Sequence, residues 1–577
     1  MKCTNCGFVV KDSSKPCPSC NYINNSTHNI SYKKGPSWKK VFSIVIILLC
    51  LIASGTFAYG VLSGKTPKEA ALDFLFWNKS PKELYFQAEF KSFQKDLTSL
   101  DDYIGDFWHL QSKMLESPYK NSLEIKGNFD IDGESDLSLA EMHLIKLVLR
   151  GSKIVIASEV DPNDSMSYVD AQLNINGTPL LETELFQSKK QTAIKIPLLD
   201  KRFYYIDNKQ FGQFMHNFSQ TNYGGSNELF NIVDEQKKYF LTRDDMMEFI
   251  SEYAKVVNKH LKEENFSIQN DVLYNEKKLR EITMSLSEGE FKDLLIHSIT
   301  RIENSEKLSN YMTAQSYLES SFYNSHNDIS EKTDIFKEMK EQITNNLSFP
   351  NGFKMKVIID KNDYIVNRTI SLPLSIIDIE KNIEIVYSST NTATEETKKL
   401  DFYELDGEAN GVFFEWNSKT NATEQTITFD NSLTVKAIQN KEEFEFLLRF
   451  AGDVKEKDNQ KELSTNYTIS MKESSFPPFV LMGTLKQTTE QNLKRNYSNN
   501  KTELSVTLPL EDQISNAEEV TINLNISSKT EFTDKVTKIT LTPENSINAK
   551  DLTPYDILNL FDRFTSEIEA LFGNFGL

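Results

Sequence analysis

Four cysteines in two pairs, Cys3-Thr-Asn-Cys6 and Cys17-Pro-Ser-Cys20, are the residues best placed for chemistry, with ten residues between the pairs. A CxxC pair wraps a tight turn that aims two sulfurs and nearby amides at one ion. Two such turns complete the tetrahedral thiolate set that zinc prefers. Gly7 follows the first pair, where the turn wants tolerance of positive φ, and Asn21 holds that place after the second. Four protein ligands leave no open coordination position, so the expectation is a structural Zn on Cys3, Cys6, Cys17 and Cys20. A redox role would need only one pair. The fifth cysteine, Cys50, sits in an apolar run and none follows it, so the remainder is no disulfide scaffold.

No other chemistry is legible. HExxH, phosphate loops, GxGxxG and nucleophile elbows are all missing. Ser92-Phe-Gln-Lys95 has the SxxK spacing of penicillin-recognising enzymes, but no KTG or SDN accompanies it. Asp130, Asp132, Glu134 and Asp136 surround Gly133, yet the glycine is out of frame for a calcium loop and no glutamate closes it, which leaves a hairpin turn. His109, His143, His216, His260, His297 and His326 share no metal-ligand spacing, so each reads as a solvated or hydrogen-bonded side chain. The expectation is a protein that is not an enzyme, with no catalytic and no cofactor-binding residues.

The elements that would carry the cysteine module come next. Residues 41–62 hold no charge, and 22 residues of helix span about 33 Å, enough for a hydrocarbon core of about 30 Å. Lys33, Lys34, Lys39 and Lys40 precede this run, which by the positive-inside rule keeps the N-terminus cytoplasmic. The expected localisation is the cell membrane, single-pass, with the C-terminal domain extracellular and the bilayer as partner through 41–62. The pattern CxxCG, a polar stretch, CPxC, a basic linker and an apolar helix resembles the zinc ribbons that begin Gram-positive single-pass membrane proteins. That resemblance covers the first sixty residues and implies a structural ribbon that docks a cytoplasmic protein or caps the anchor.

Beyond residue 62 the chain carries 57 basic and 82 acidic side chains out of its 64 and 83, a balance that repels nucleic acid. Phe90, Phe93, Leu97, Leu100, Ile104 and Phe107 recur at spacings of three and four. This is a helix packed on its own domain, or in a second reading the seam of a membrane-proximal homodimer. Period-2 runs follow at Leu123–Ile131, Lys153–Glu159, Met166–Ile175 and Thr192–Ile206, then a helical block opened by a capping box at Thr242 to Asp245. A polar stretch at Asn324 to Asp328 separates two expected lobes.

The second lobe opens with Phe353, Met355, Val357 and Ile359 alternating with polar residues, a turn at Lys361 to Asp363, and a returning strand from Tyr364. Ten more strand-like runs follow, Thr426–Phe429 and Leu433–Ile438 among them and Val536–Leu541 the last, and a helix from Pro554 with an apolar face is expected to close over the sheet. The run Val357 to Arg368 resembles a hairpin of the half-barrel lipid carriers of bacterial envelopes, the lipoprotein carriers and mycobacterial glycolipid-binding lipoproteins. That resemblance implies an apolar cavity between sheet and helices.

The expected architecture is therefore α+β: zinc ribbon (1–24), basic linker (25–40), transmembrane helix (41–62), helical stalk with a first β-rich lobe (63–325), and a second β-rich lobe with a C-terminal helix (326–577). The expected function is non-enzymatic binding of an apolar lipid or cell-wall ligand. The alternative is a transmembrane sensor coupling the outer domain to a cytoplasmic partner through the ribbon.

Overall fold

The computed structural model describes residues 79–574 except 134–149, 220–225, 312–334, 377–378, 393–394, 407–409, 424, 440–441, 458, 475 and 510–516. Helix α1 (Pro81–Glu116) leads into an antiparallel meander of β1 (Tyr119–Gly133), β2 (Ser152–Asp161), β3 (Met166–Ile175), β4 (Thr178–Gln187), β5 (Gln191–Lys195) and β6 (Phe203–Asp207). Helices α2 (Phe211–Ser219), α3 (Ile232–Tyr239) and α4 (Arg243–His260) carry the chain to the far edge, where β7 (Phe266–Tyr274) and β8 (Lys277–Leu286) form a hairpin. After α5 (Glu288–Glu303), α6 (Ile335–Asn345) and the short β9 (Leu347–Ser348), β10 (Phe353–Ile359) pairs with β8.

A longer meander then runs through β11 (Ile365–Ile376), β12 (Ile379–Asn391), β13 (Glu395–Asp406), β14 (Asn410–Ala422) and β15 (Thr426–Gln439). It continues through β16 (Glu442–Lys457), β17 (Gln460–Glu473), β18 (Phe476–Asn492), β19 (Tyr497–Pro509) and β20 (Ala517–Phe532). The two meanders are one sheet because β20 returns to pair with β1 along its length, Tyr119 opposite Phe532 and Asp132 opposite Glu519. A short β21 (Ser546–Asn548) lies parallel to β6, and α7 (Pro554–Asn574) follows.

The α+β expectation of two β-rich lobes beside a ribbon and a membrane helix is thus corrected: among the described residues twenty-one strands share one sheet. The sequence runs marked only the apolar middles of much longer strands; Thr426–Phe429 and Leu433–Ile438, for instance, are both β15. The single-pass layout at the cell membrane is corrected too, since among the described residues no helix is long and apolar enough to cross a membrane. Residues 1–24, the linker and the 41–62 run lie outside the described residues. Val536–Leu541 is irregular and packs Val536, Ile539 and Leu541 against Phe186 and Phe203. Helix α7 forms on its Thr553–Asp556 cap but leaves Tyr555, Leu558 and Phe561 exposed. The place it was expected to cover is already occupied.

The occupants are α4, α5 and α6. Their Tyr253, Val257, Phe291, Leu294, Ile299 and Met339 form a core with Met284, Met355, Ile370 and Phe402 of the sheet. Capping boxes start two of these helices, Thr242 with Asp245 on α4 and Ser287 with Glu290 on α5.

Helix α1 is a strut along one rim of the sheet. Gln87 and Lys91 bond the β10–β11 turn at Asp363 and Asn362, and Lys95 and Asp96 meet Glu396 and Lys398 beside the β12–β13 turn. Asp106 and Lys113 reach Gln491 and Leu493 at the β18–β19 turn. From Gln87 to Lys113 an α-helix rises about 39 Å. The eight strand spacings between the first and last of these turns amount to about 38 Å. That match lets one straight helix bond a turn at each end.

Candidate functional site

The alternation in each strand decides which side chains share a face. On β17, Leu463, Tyr467, Ile469 and Met471 point one way, and Glu462, Asn466, Thr468 and Lys472 the other. Cross-strand register then aligns the apolar positions into rows. One row begins in the core as Met284, Met355, Ile370, Ile385, Phe402 and Phe414. It continues as Val435, Phe446, Met471 and Phe479. Met284 and Met355 are 1% exposed, Phe402 8%, Met471 42% and Phe479 41%. The row that forms the core under the helices therefore runs out from beneath them.

A parallel row, Leu400, Trp416, Leu433, Leu448, Ile469 and Leu481, lies beside it and is half-buried throughout. Farther on, the apolar positions step over by one row and pass through Val506 and Ile522 to Phe129 on β1. At the step, Gly483 lets the Tyr467 ring lie across the sheet: a Cβ at 483 would come within 2.4 Å of the Tyr467 hydroxyl, which donates to the Ser505 carbonyl at 2.8 Å. The result is an apolar track on one face. The opposite face is polar and carries cross-strand ion pairs such as Lys436–Glu445 at 2.8 Å and the bidentate Arg449–Asp430.

A hollow of about 500 Å³ lies where α1 meets the face that carries the track, lined by Ser92, Lys95 and Asp96 of α1 and by residues of β7, β8 and β11 to β13. Of its six charged lining residues, four alternate in sign along one wall. Lys95 Nζ lies 2.6 Å from Glu396, Lys398 Nζ 3.2 Å from Glu396 and 2.8 Å from Asp96. Burial works to raise the Glu396 pKa, but the Lys95 hydrogen bond and the Lys398 charge outweigh it and hold the carboxyl below its ordinary range. Burial likewise works to lower Lys398, and Asp96 and Glu396 more than reverse it. Burial, then the Asp96 charge, pushes the Tyr387 phenol up. Tyr387 lines the hollow and stands directly opposite Leu400, so the hollow opens onto the half-buried row.

Next to the hollow, Arg368 is paired with the buried Glu89 of α1. Burial opposes the guanidinium charge there, and the Glu89 carboxylate overcomes it, raising the Arg368 pKa. Asp363 binds Arg280 and Lys91 at the turn below.

The four expected zinc ligands, Cys3, Cys6, Cys17 and Cys20, lie outside the described residues. Among the described residues no group of three or more His, Cys, Asp or Glu could hold a metal, so the expectation of a metal-binding, zinc-ribbon protein with a transmembrane helix is corrected for this part of the chain. Ser92 and Lys95 both line the hollow, but not as a nucleophile and base: the Ser92 hydroxyl accepts from the Ile365 amide at 2.9 Å, and Lys95 is held by Glu396. Asp130 and Asp132 are ordinary strand positions of β1.

No known family profile matches the chain, and no curated protein matches it either. Solved structures with partial likeness include a loop-deletion mutant of OmpT, an outer membrane protein of Vibrio cholerae, at 4% identity and TM-score 0.23, covering 72% of this chain and 99% of that one. The outer membrane channel DcaP of Acinetobacter baumannii gives 6% and 0.21, covering 71% and 96%. A BenF-like porin of Pseudomonas fluorescens gives 9% and 0.21, covering 72% and 99%.

Sequence reading missed the pairing of charges across α1 and β13, because Lys95 and Glu396 are three hundred residues apart. It also missed that His260 and His297 meet, their ring centroids 4.2 Å apart where α4 packs on α5. The Leu463–Met471 alternation did carry a signal for the track, since a strand with one apolar face must put that face somewhere.

Proposed function

We propose that this protein binds, without chemically altering it, the hydrocarbon chain of an amphiphile laid across the strands on the apolar track. The observation that carries this reading is the exposure gradient along one hydrogen-bonded row, from Met284 at 1% to Phe479 at 41%. A row meant only for a core would end where the helices end. Contiguous exposed apolar surface of several hundred Å² marks a site on a soluble face, and each buried methylene of a ligand gains about 0.8 kcal/mol. From Leu400 to Leu481 the half-buried row crosses five strand spacings, about 24 Å. A chain in one bilayer leaflet covers about 15 Å, so a long acyl chain fits at full length.

Trp416 in this row reports on occupancy. In a full chain with Trp38, Trp77 and Trp108 changed to Phe, a brominated long-chain fatty acid is expected to quench Trp416 saturably, and native protein is expected to carry extractable lipid detectable by mass spectrometry. Absence of both quenching and co-purified lipid would refute the proposal.

A further inference from the structure

The hollow at the head of the half-buried row has the composition of a head-group site, and we infer that it selects a zwitterionic phosphate–ammonium head on the chain bound along the track. This rests on the track reading above. Tyr387 joins the two, lining the hollow on one side and facing Leu400 across the β12–β13 ladder on the other. A head seated beside Tyr387 thus leaves its tail at the start of Leu400, Trp416 and Leu433.

The charge pattern decides the class of head. Lys95, Glu396, Lys398 and Asp96 alternate in sign, each within 3.2 Å of the next, so the quartet is neutral as a whole. Lys277 and Asp360, also in the wall, add one charge of each sign and keep the balance, with Asp360 accepting from the amides of Asn362 and Tyr364 at 2.8 and 2.9 Å. A head with net charge gains nothing from a neutral quartet and leaves an uncompensated charge in a half-enclosed site. A head with both signs exchanges partners within it: phosphate oxygens take Lys398 and the wall hydroxyls of Ser389 and Thr390, and the ammonium takes Asp96 and Glu396. Three tyrosines, Tyr274, Tyr364 and Tyr387, share the wall, and aromatic faces attract a quaternary ammonium.

Four probes with the same tail separate the possibilities on the full chain, each below its micelle concentration and measured by calorimetry: hexadecylphosphocholine, hexadecyl phosphate, hexadecyltrimethylammonium and hexadecanol. Hexadecylphosphocholine is expected to bind at least tenfold tighter than each of the others. That preference is expected to collapse to within threefold in both Lys398→Met and Asp96→Asn, with urea unfolding confirming that each variant is folded. Equal binding of all four probes, a preference for either singly charged probe, or a preference that survives both substitutions would overturn the head-group assignment and leave the track reading standing. Failure of every probe to bind would overturn the track reading itself.

Discussion

Met284 and Phe479 occupy the same hydrogen-bonded row, nine strands apart, and differ fortyfold in exposure. Their energetic roles should differ as sharply. Met355→Ala, next to Met284, removes a side chain packed by helices and is expected to cost about 3 kcal/mol, the usual range for a buried large-to-alanine change. Met471→Ala, next to Phe479, vacates no packed volume and is expected to cost under about 1 kcal/mol. Urea denaturation of the two variants measures both. Equal losses would mean that the outer half of the row is closed core.

The pair Glu89–Arg368 fixes α1 onto the sheet from within, Glu89 being 3% exposed. Removing one buried partner leaves the other charge without compensation, which typically costs 3–5 kcal/mol, whereas replacing both by apolar residues is often neutral. Glu89→Ala is therefore expected to lower stability by about 3 kcal/mol, and Glu89→Leu with Arg368→Met to restore most of it. Chemical unfolding across the double-mutant cycle tests this; a double variant as unstable as the single one would show that the pair is not the source of the loss.

How much of this was legible beforehand follows from which forces act locally. The hairpin of β10 and β11 was readable because alternation and an Asp-rich turn sit within twenty residues, and Asp363 does take the positive φ of 63° that such a turn requires. The α4 capping box at Thr242 was readable for the same reason. Strand ends were not, because polar residues such as Lys457 and Gln460 are held in the ladder by their neighbours and not by any pattern of their own. The union of two expected lobes depended on Tyr119 meeting Phe532 and could not be read from either segment alone. The track was half legible: alternation announces an apolar face, but only the exposure of residues such as Met471 and Phe479 shows that it runs beyond the helices of the described residues.

The capping box of α5 gives a pH signature. The Ser287 amide and hydroxyl, opposed by some burial, hold the Glu290 carboxyl at about 2, against an ordinary 4.5. A depressed folded pKa means that the unfolded chain takes up the proton first. The stabilisation is therefore complete above about pH 4.5 and is lost as pH falls toward 2. Glu290→Gln keeps a capping acceptor but not the charge; it is expected to cost up to about 1 kcal/mol at pH 7 and nothing near pH 2. Unfolding free energies of native and variant chains at pH 7, 4 and 2.5 should converge as the pH drops, and parallel curves would refute the linkage.

Adjacent residues on β16 offer the sharpest test of the track, because successive side chains of a strand face opposite ways. Leu448 lies in the half-buried row between Leu433 and Ile469, whereas Leu447 stands between Thr434 and Ser470 on the polar face. A carboxylate at 448 would have to be desolvated by an incoming chain, a penalty of several kcal/mol, while one at 447 would remain in water. Leu448→Glu is therefore expected to weaken binding of a brominated fatty acid at least tenfold, and Leu447→Glu less than twofold, with circular dichroism showing both variants folded. Equal effects at the two positions would mean that ligands do not distinguish the faces of the sheet, and the track would lose its claim to be the binding surface.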